Sequence, residues 1–239
     1  MLSLRRPKAD ALLRATIRNR FTPETSLAVC VKALAARLLP EAGSPARAAM
    51  RCTVSRGGGR GLRRPADAGV NVIASLAPLE PAPAAPASIK ITPRVRFSRV
   101  STARFKCVGA YAEHLLARAD ALQAGADEGL LRNEHGRIAC ASAANVFAID
   151  GASVVTPALA DGAMPGCVRT VVERCCEQLG VRFVEGPIDA LLDRPMFLTN
   201  SLIGVRRAIF DGEAPPSALV EDLKSAYERA VALDGQVRT

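Results

Sequence analysis

The sequence predicts an α+β protein built in two parts, and three observations support this. A series of short apolar strands with turn signals between them occupies residues 129–156. A helix with regularly spaced apolar residues follows Pro165, and a proline-rich stretch at residues 78–93 separates this half of the chain from the first. Strands and helices in separate runs are typical of the α+β class. We therefore predict a small N-terminal α/β domain over residues 1–90 and a larger C-terminal domain over residues 91–239.

The N-terminal part is predicted to begin with helices and to continue with strands. Loosely spaced apolar residues favour helix over Pro7–Leu38, with a break near Pro23. Residues 50–55 alternate between apolar and polar side chains and residues 70–76 form a second short apolar run, so we predict a strand at each. A glycine-rich basic turn, RGGGRGLRR at residues 56–64, separates the two predicted strands.

The C-terminal part is predicted to combine helices with β-hairpins. Asp150-Gly151 stands between two short apolar runs, which is a strong hairpin signal. Pro165-Gly166 precedes apolar residues at helical spacing and therefore marks the start of a helix. The strands predicted here are residues 95–98, 129–132, 137–139, 145–149, 153–156 and 196–199, and the helices are residues 109–124, 165–179 and 217–233.

Composition argues against a membrane protein and against a metal site. No apolar run approaches the ~20 residues that a membrane span needs. The two histidines, His114 and His135, do not stand at ligand spacing from another candidate ligand. The seven cysteines are odd in number and form no CxxC pair, so we expect reduced thiols. Because no secretory leader is recognisable at the start, we expect a cytoplasmic protein.

The basic charge does not by itself indicate a nucleic-acid partner. The net charge of +9 comes almost wholly from arginine, because the chain has only five lysines among its 32 basic residues. The arginines are scattered, and the aromatic residues that would stack on bases make up only 4% of the chain. We therefore expect no nucleic-acid partner, although residues 56–64 taken alone also fit a flexible arginine-glycine segment that binds nucleic acid.

Three features of the chain carry chemistry that a ligand site needs. Lys106 precedes a predicted helix, and a lysine amine acts as a nucleophile when it is partly desolvated. Residues 164–169 (MPGCVR) open a helix, whose free N–H groups form a natural anion site. Residues 199–201 (TNS) follow an apolar strand and offer hydroxyl and amide groups. Each feature alone also fits an ordinary surface lysine, helix start or polar turn.

The order of these features resembles the class IV aminotransferase family, the fold-type IV enzymes that use pyridoxal 5'-phosphate. That family shows a lysine with a tyrosine five residues later, then the patterns A…G.DE, G.v.E..aaNlF, TP.l..g.lpGi.R and fltns. This chain aligns with them in the same order through Lys106, Tyr111, Ala124-Gly125-Ala126-Asp127-Glu128, Gly136-Arg137-Ile138-Ala139-Cys140, Ala143-Ala144-Asn145-Val146-Phe147, Thr156-Pro157, Met164-Pro165-Gly166-Cys167-Val168-Arg169 and Phe197-Leu198-Thr199-Asn200-Ser201. The resemblance implies a small N-terminal α/β domain, a larger C-terminal pseudo-barrel and a homodimer.

The resemblance also implies roles for single residues. Lys106 would bear the cofactor covalently and move a proton at the substrate's Cα, and Tyr111 would hydrogen-bond the cofactor's phenolic oxygen. An arginine near the start of the chain, Arg6 or its neighbour Arg5, would match the family's phosphate-binding arginine. The other phosphate contacts would be three backbone N–H groups and one hydroxyl, those of Gly166, Cys167, Val168 and Ser201.

Two departures from the family pattern alter these expectations. Cys140 stands where the family has a glutamate, whose carboxylate keeps the cofactor's pyridine nitrogen protonated so that the ring accepts electrons. A thiol supplies no comparable salt bridge, so we expect a slow enzyme or a neutral ring nitrogen. If Arg6 matches the family's arginine, several dozen residues that usually precede it are missing, and we expect a truncated small domain that lacks its leading strands.

The most specific functional expectation comes from residues 55–61 (SRGGGRG). They resemble the sRG.ggRG segment of 4-amino-4-deoxychorismate lyases, and Asn200 resembles an asparagine found there. This predicts elimination of pyruvate from aminodeoxychorismate to give 4-aminobenzoate for folate biosynthesis. Arg96 or Arg99, just upstream of Lys106, would bind a carboxylate of this small-molecule substrate. The alternatives are an aminotransferase acting on branched-chain or D-amino acids, and a degenerate homologue without activity.

Overall fold

The structure is a computed structural model that divides into two compact units between residues 81 and 82. The residues that it describes are 2–5, 13–19, 27–56, 69–212 and 215–237. Each unit has its own sheet and its own buried core. None of the helices in the described residues is long and apolar enough to cross a membrane.

A four-stranded antiparallel sheet and one helix form the first unit. Helix α1 (Leu27–Glu41) packs against strands of this sheet. The order of the strands in the sheet is β1-β2-β4-β3, where the strands are β1 (Leu2–Arg5), β2 (Leu13–Asn19), β3 (Ala48–Arg56) and β4 (Val70–Pro78).

The core of the first unit lies between one face of α1 and one face of β4. Cys30, Leu34 and Leu38 recur every four residues and therefore lie on one face of α1. They are buried against alternate residues of β4, namely Val72, Ala74 and Leu76. Because both faces are continuous and apolar, the helix and the sheet exclude water between them.

The predicted helix over Pro7–Leu38 is wrong for its first half, since Leu13–Asn19 is strand β2. The residues of β2 read LRATIRN, so apolar and polar types alternate with the period of a strand. Strand β2 also pairs along its whole length with β4. This long-range pairing overrides the weak helical pattern.

A curled eight-stranded sheet organises the second unit. Its order is β10-β9-β8-β11-β12-β5-β6-β7, and the pairs β10/β9, β12/β5 and β5/β6 are parallel. The strands are β5 (Ala87–Val95), β6 (Glu128–Arg132), β7 (Ile138–Ala141), β8 (Asn145–Asp150), β9 (Ser153–Thr156), β10 (Arg182–Glu185), β11 (Met196–Asn200) and β12 (Gly204–Phe210).

Both faces of this sheet are buried. Alternate residues of β8, Val146 and Ala148, face a core made almost entirely of strand residues, while Phe147 and Ile149 face a second core. Helices α3 (Cys167–Gln178) and α4 (Ala218–Val237) cover that second face, while helix α2 (Tyr111–Gln123) packs against β5 and β6. This architecture confirms the predicted α+β class, with a larger C-terminal unit built around a curled sheet.

The boundary between the units lies earlier than the expected position after residue 90. Residues 78–93 were predicted to be a connector because they are rich in proline, yet β5 pairs with β12 on one side and with β6 on the other. Its Pro93 is tolerated because the register between β5 and β6 shifts around it, and proline is accepted at such irregularities. Strand β5 therefore belongs to the second unit.

Two local features place the elements around the site. The predicted hairpin at Asp150-Gly151 is confirmed, because Asp150 pairs with Ser153 and Gly151 takes a φ of 57°, which favours glycine. Helix α2 crosses closely over β6 at Gly129, where a Cβ atom would lie 2.5 Å from the carbonyl oxygen of Ala117. Glycine at position 129 thus sets how closely α2 approaches the sheet.

Candidate active site

Lys106 lies on an exposed segment that leads into helix α2. Two 3₁₀ turns, Ser101–Arg104 and Val108–Ala110, stand on either side of it. The lysine side chain is exposed, and the half-buried Tyr111 is the first residue of α2. The amine of Lys106 is therefore accessible to a ligand, and the tyrosine predicted to accompany it stands at the helix start.

Buried Arg96 ties this segment to its surroundings. The Arg96 guanidinium donates from Nη2 to the carbonyl oxygen of Ala103 at 2.6 Å and from Nε to that of Gly162 at 2.5 Å. Its Nη1 lies 2.7 Å from Nε2 of His114, whose Nδ1 lies 3.0 Å from the carbonyl oxygen of Ser142. These contacts favour a structural role for Arg96 over the predicted contact with a substrate carboxylate. Arg99, the other candidate, is exposed.

Cys140 is a buried thiol on β7. Burial is the main cause that raises its pKa to about 11, and the nearby Glu128 carboxylate raises it further while Arg96 acts in the opposite direction. The thiol is therefore neutral over the physiological pH range. Cys140 therefore offers a weak S–H donor, and not a carboxylate, to any group that it contacts.

Glu128, to which the sequence patterns assigned no role, is a buried carboxylate beside the turn that joins β7 to β8. We call residues 142–144 the site turn. One carboxylate oxygen of Glu128 accepts the hydroxyl of Ser142 and, at 3.1 Å, the N–H of Ala143, while the other oxygen accepts a hydrogen bond from Arg118. The negative charge of Glu128 is therefore neutralised within the protein, and the carboxylate fixes one side of the site turn.

The start of helix α3 forms the second part of the site. Gly166 precedes the first helical residue, the exposed Cys167, and the first bond within the helix runs from the N–H of Thr170 to the carbonyl of Gly166. By the geometry of a helix, the N–H groups of Cys167 and Val168 have no partner inside it and carry a partial positive charge. Main-chain donors of this kind suit a phosphate. The N–H of Gly166, also predicted to bind phosphate, donates instead to the carbonyl oxygen of Met164 at 2.8 Å.

Asn145 brings the start of α3 together with the end of β11. A Cβ atom on Gly166 would lie 3.5 Å from the amide oxygen of Asn145. The Asn145 amide nitrogen donates to the carbonyl oxygen of Thr199 at 3.3 Å and to its hydroxyl at 3.2 Å. Asn145 therefore binds the end of β11 and lies close to the start of α3, a position that the sequence alone did not indicate.

Asn200 shapes the turn that carries Ser201. Its amide oxygen accepts the N–H groups of Leu202 and Ile203 at 2.8 and 2.9 Å, and its amide nitrogen donates to the carbonyl oxygen of Ala143 in the site turn at 2.9 Å. Ser201 itself is exposed. Asn200 thus joins this turn to the site turn, and the predicted contact of Asn200 with substrate stays a prediction.

Arg169 fastens α3 to the sheet. Its guanidinium is buried, donates to the hydroxyl of Thr156 at 2.8 Å and pairs with Glu185 at 2.7 Å. It also lies 5.6 Å from the centre of the Phe183 ring, within the range of a cation–π contact. These contacts set the direction in which the start of the helix points.

Three elements contact the site turn, and Asn200 is the one predicted site residue among the side chains that make these contacts. Helix α2 reaches it through His114, β6 through Glu128, and β11 through Asn200. Arg6 and residues 57–64, which carry the predicted phosphate arginine and most of the glycine-arginine segment, lie outside the described residues. Within the described residues, no group of three or more His, Cys, Asp and Glu side chains is placed to hold a metal ion.

The chain belongs to the class IV aminotransferase family. The model of that family, described as amino-transferase class IV, matches residues 13–208, which is more than half of the chain. Two curated relatives are provisionally named branched-chain-amino-acid aminotransferases. The relative from Aquifex aeolicus is 31% identical over 139 residues and that from Synechocystis is 31% identical over 86 residues. These matches cover 54% and 36% of this chain but only 44% and 28% of the relatives.

Solved structures of the family share this fold. A protein from Legionella pneumophila, provisionally named 4-amino-4-deoxychorismate lyase, has a TM-score of 0.76 at 21% identity, with 92% of this chain and 91% of that chain covered. The branched-chain amino acid aminotransferase of Escherichia coli has a TM-score of 0.74 at 19% identity, covering 87% and 72%. That of Thermobaculum terrenum, in its PLP-form, has 0.74 at 16% identity, covering 92% and 85%.

The described residues fit pyridoxal phosphate at two of the three points that the cofactor needs. An accessible lysine amine precedes α2, and the start of α3 offers main-chain N–H groups close to Asn145, which binds Thr199, two residues before Ser201. The third point differs, because Cys140 offers a neutral thiol where the family pattern has a carboxylate. The family membership agrees with this cofactor, as do solved branched-chain aminotransferases in complex with N-(5'-phosphopyridoxyl)-L-glutamate or with pyridoxamine 5'-phosphate.

Proposed function

We propose that this chain is a pyridoxal-phosphate lyase of the 4-amino-4-deoxychorismate type, which eliminates pyruvate to give 4-aminobenzoate for folate biosynthesis. The observation that carries the proposal is that α2, β6 and β11 contact the site turn, while Asn145, directly after this turn, lies between the start of α3 and the end of β11. The lyase-like segment SRGGGRG at residues 55–61 and the near-complete mutual coverage with the Legionella pneumophila protein support this choice within the family.

In this proposal each residue has a limited task. When bound, the cofactor supplies an electrophilic carbon and a ring that withdraws electrons from the substrate's Cα. Lys106 holds the cofactor and moves the proton at Cα, while Tyr111 donates a hydrogen bond to the phenolic oxygen. The phosphate is bound by the N–H groups of Cys167 and Val168 and by the hydroxyl of Ser201.

A branched-chain aminotransferase is the second candidate. The Aquifex aeolicus relative with that provisional name is 31% identical over 54% of this chain, which is a closer sequence match than any of the three structures compared above. An aminotransferase uses the same lysine and the same phosphate site, so the described geometry is common to both reactions. The reaction catalysed must therefore be decided with substrates.

One assay separates the proposals. Purified protein supplied with pyridoxal phosphate is given aminodeoxychorismate, or leucine with 2-oxoglutarate, and the Lys106→Ala variant is the control. Release of pyruvate and 4-aminobenzoate by the wild type alone supports the lyase. Transfer of the amino group to 2-oxoglutarate without pyruvate release supports the aminotransferase. Neither activity, together with no bound cofactor, supports a degenerate homologue.

We also propose that the protein is a cytoplasmic homodimer. All seven cysteines lie in the described residues and are free thiols, which suits a reducing compartment. Around Lys106 the side chains of Phe105, Val108 and Leu115 are each about two-thirds exposed, at 65%, 65% and 66%, and large exposed apolar side chains are typical of interfaces. Light scattering at micromolar concentration should give twice the chain mass of 25.1 kDa, and a monomer would contradict the dimer.

A further inference from the structure

We infer that Arg96 and His114 act as positioning residues, which together hold the segment that carries Lys106 against the site turn. We call the two residues the Arg96–His114 clamp. The geometry of the clamp stands on its own contacts, while its consequence for catalysis rests on the proposed role of Lys106.

The clamp binds the chain on both sides of Lys106. Arg96 donates to the carbonyl oxygen of Ala103, which precedes Lys106 by three residues. It also donates to His114 in α2, which follows Lys106 by eight residues. Its third contact, to the carbonyl oxygen of Gly162, anchors the guanidinium to the loop before α3. The exposed lysine segment is thus fixed at both ends by one buried side chain.

The hydrogen-bond directions define the protonation state of His114. A guanidinium only donates, so Nε2 of His114 must accept from Arg96. The single ring proton then lies on Nδ1 and is donated to the carbonyl oxygen of Ser142. Burial and, second, the charge of Arg96 lower the pKa of His114, whereas the bond to Ser142 and the Glu113 carboxylate act in the opposite direction. The clamp therefore requires a neutral imidazole.

The site turn is held from two sides at one residue. His114 binds the main-chain carbonyl of Ser142, and Glu128 binds the hydroxyl of the same residue. Cys140, the neighbour of this turn on β7, lies within electrostatic reach of Arg96 and of Glu128. The clamp therefore links the lysine segment to the part of the site where the cofactor ring is expected. Two carbonyl groups and the imidazole, rather than a carboxylate, compensate the burial of the Arg96 guanidinium.

Two variants of His114 separate positioning from general stability. His114→Phe removes both hydrogen bonds, while His114→Gln keeps one acceptor and one donor on a side chain of similar reach. Amide hydrogen exchange of the protein without cofactor is measured for residues 97–110 and for β8–β11 as an internal reference. We expect exchange in residues 97–110 to rise about tenfold or more in His114→Phe, with β8–β11 unchanged, and to return close to wild type in His114→Gln.

The pH dependence provides a readout that general stabilisation would not give. The charged groups that act on His114 are Arg96 from the loop after β5 and Glu113 from its own helix. Because the folded-state pKa lies below the ordinary value of 6.5, the clamp is intact above pH 6.5 and is lost as the pH falls from there. After correction for the intrinsic exchange rate of the amides at each pH, exchange of residues 97–110 should therefore rise with acid in the wild type and stay flat in His114→Gln.

The outcomes are distinguishable from failure of the proposed function. If the wild type binds no cofactor, the exchange measurements still decide whether the clamp exists. The inference would be overturned if residues 97–110 exchanged at the same rate in His114→Phe as in wild type. It would also be overturned if they exchanged as fast in His114→Gln as in His114→Phe. Should His114→Phe not fold, the acid dependence of wild type against His114→Gln decides the question alone. With an active enzyme, His114→Phe should lower kcat more than it raises KM, and a change in KM alone would contradict positioning of Lys106.

Discussion

The phosphate end of the candidate site and its ring end are built from different kinds of groups. At the phosphate end, the start of α3 offers main-chain N–H groups, and Asn145 and Asn200 bind main-chain carbonyls that set the backbone path. At the ring end, the chemistry lies in the side chain of Cys140 and in its charged neighbours. Contacts from main-chain groups are kept when side chains are substituted, whereas a single substitution removes a contact that a side chain makes. The family pattern is accordingly kept at the phosphate end and altered at position 140.

The same difference explains how each end is stabilised. The phosphate end depends on a helix that must point correctly, and the buried guanidinium of Arg169 holds that helix on β9 and β10. At the ring end, burial is the main influence on the Cys140 thiol, and the charges of Arg96 and Glu128 act on it in opposite directions. Substitutions at the first end should therefore act through geometry, and those at the second through electrostatics.

Removing Arg169 should have the largest effect. Arg169→Met keeps much of the side-chain volume but loses the contacts to Thr156 and Glu185, so the free energy of unfolding should fall by about 3 kcal/mol. Cofactor affinity should fall with it, because α3 loses its anchor. Urea unfolding and cofactor titration measure both quantities. The matched control is Arg174→Met on the exposed face of the same helix, and an equal loss in both variants would contradict this account of α3.

Restoring a carboxylate at position 140 should have the next largest effect. A charge-assisted hydrogen bond is worth ~1.5–3 kcal/mol, so Cys140→Glu should raise cofactor affinity or turnover by about tenfold to a hundredfold. The positive charge of Arg96 acts on position 140 and would favour the ionised form of the new carboxylate. The Cys140→Gln variant, which matches glutamate in shape, is the control for size.

The opposite result at position 140 would also be informative. If a folded Cys140→Glu protein has unchanged or reduced turnover, the missing carboxylate does not limit this enzyme. The site would then have adapted to the thiol, and the buried glutamate would lower stability instead. Comparing unfolding curves with and without cofactor distinguishes the two cases.

Weakening the junction at Asn145 should have the smallest effect. Asn145→Ala loses the two bonds to Thr199, which at 3.3 and 3.2 Å are long, so cofactor affinity should fall by only about fivefold, or ~1 kcal/mol. Asn145→Asp has the same shape but no donor, and its negative charge lies beside the proposed phosphate site, so it should lose at least as much. If Asn145→Asp bound the cofactor as tightly as wild type, the packing of residue 145 rather than its hydrogen bonds to Thr199 would matter at this position. The phosphate end would then depend less on polar contacts than we infer.

Local signals in the sequence predicted the parts of the fold that depend on neighbouring residues. The hairpin at Asp150-Gly151 and helix α3 follow from turn chemistry and apolar period, and the ordered motifs identified the fold class. Strand β5 was not predicted because Pro93, considered without its neighbours in the sheet, indicates a connector. The register shift between β5 and β6 is what allows a proline at this position of the strand. Strand β2 was missed because its partner, β4, lies far along the chain.

Only those site residues that are conspicuous in the sequence by themselves could be predicted. Lys106 and Cys140 stand out in sequence, one because lysine is rare here and the other because it breaks a motif. His114 and Glu128 act through contacts that join distant segments, His114 with Arg96 and Ser142, and Glu128 with the site turn. A lone histidine in a helix and a glutamate at a strand start give no such signal, because their partners are defined only by the folded chain.

The central claim is that Lys106 carries the cofactor, and borohydride trapping tests it most directly. Protein incubated with pyridoxal phosphate is reduced with borohydride, digested and mapped by mass spectrometry. We expect one phosphopyridoxyl group, located on the peptide that contains Lys106, and no labelling in Lys106→Ala. Labelling at Lys90 or Lys224 in place of Lys106, or labelling that Lys106→Ala does not abolish, would contradict the account.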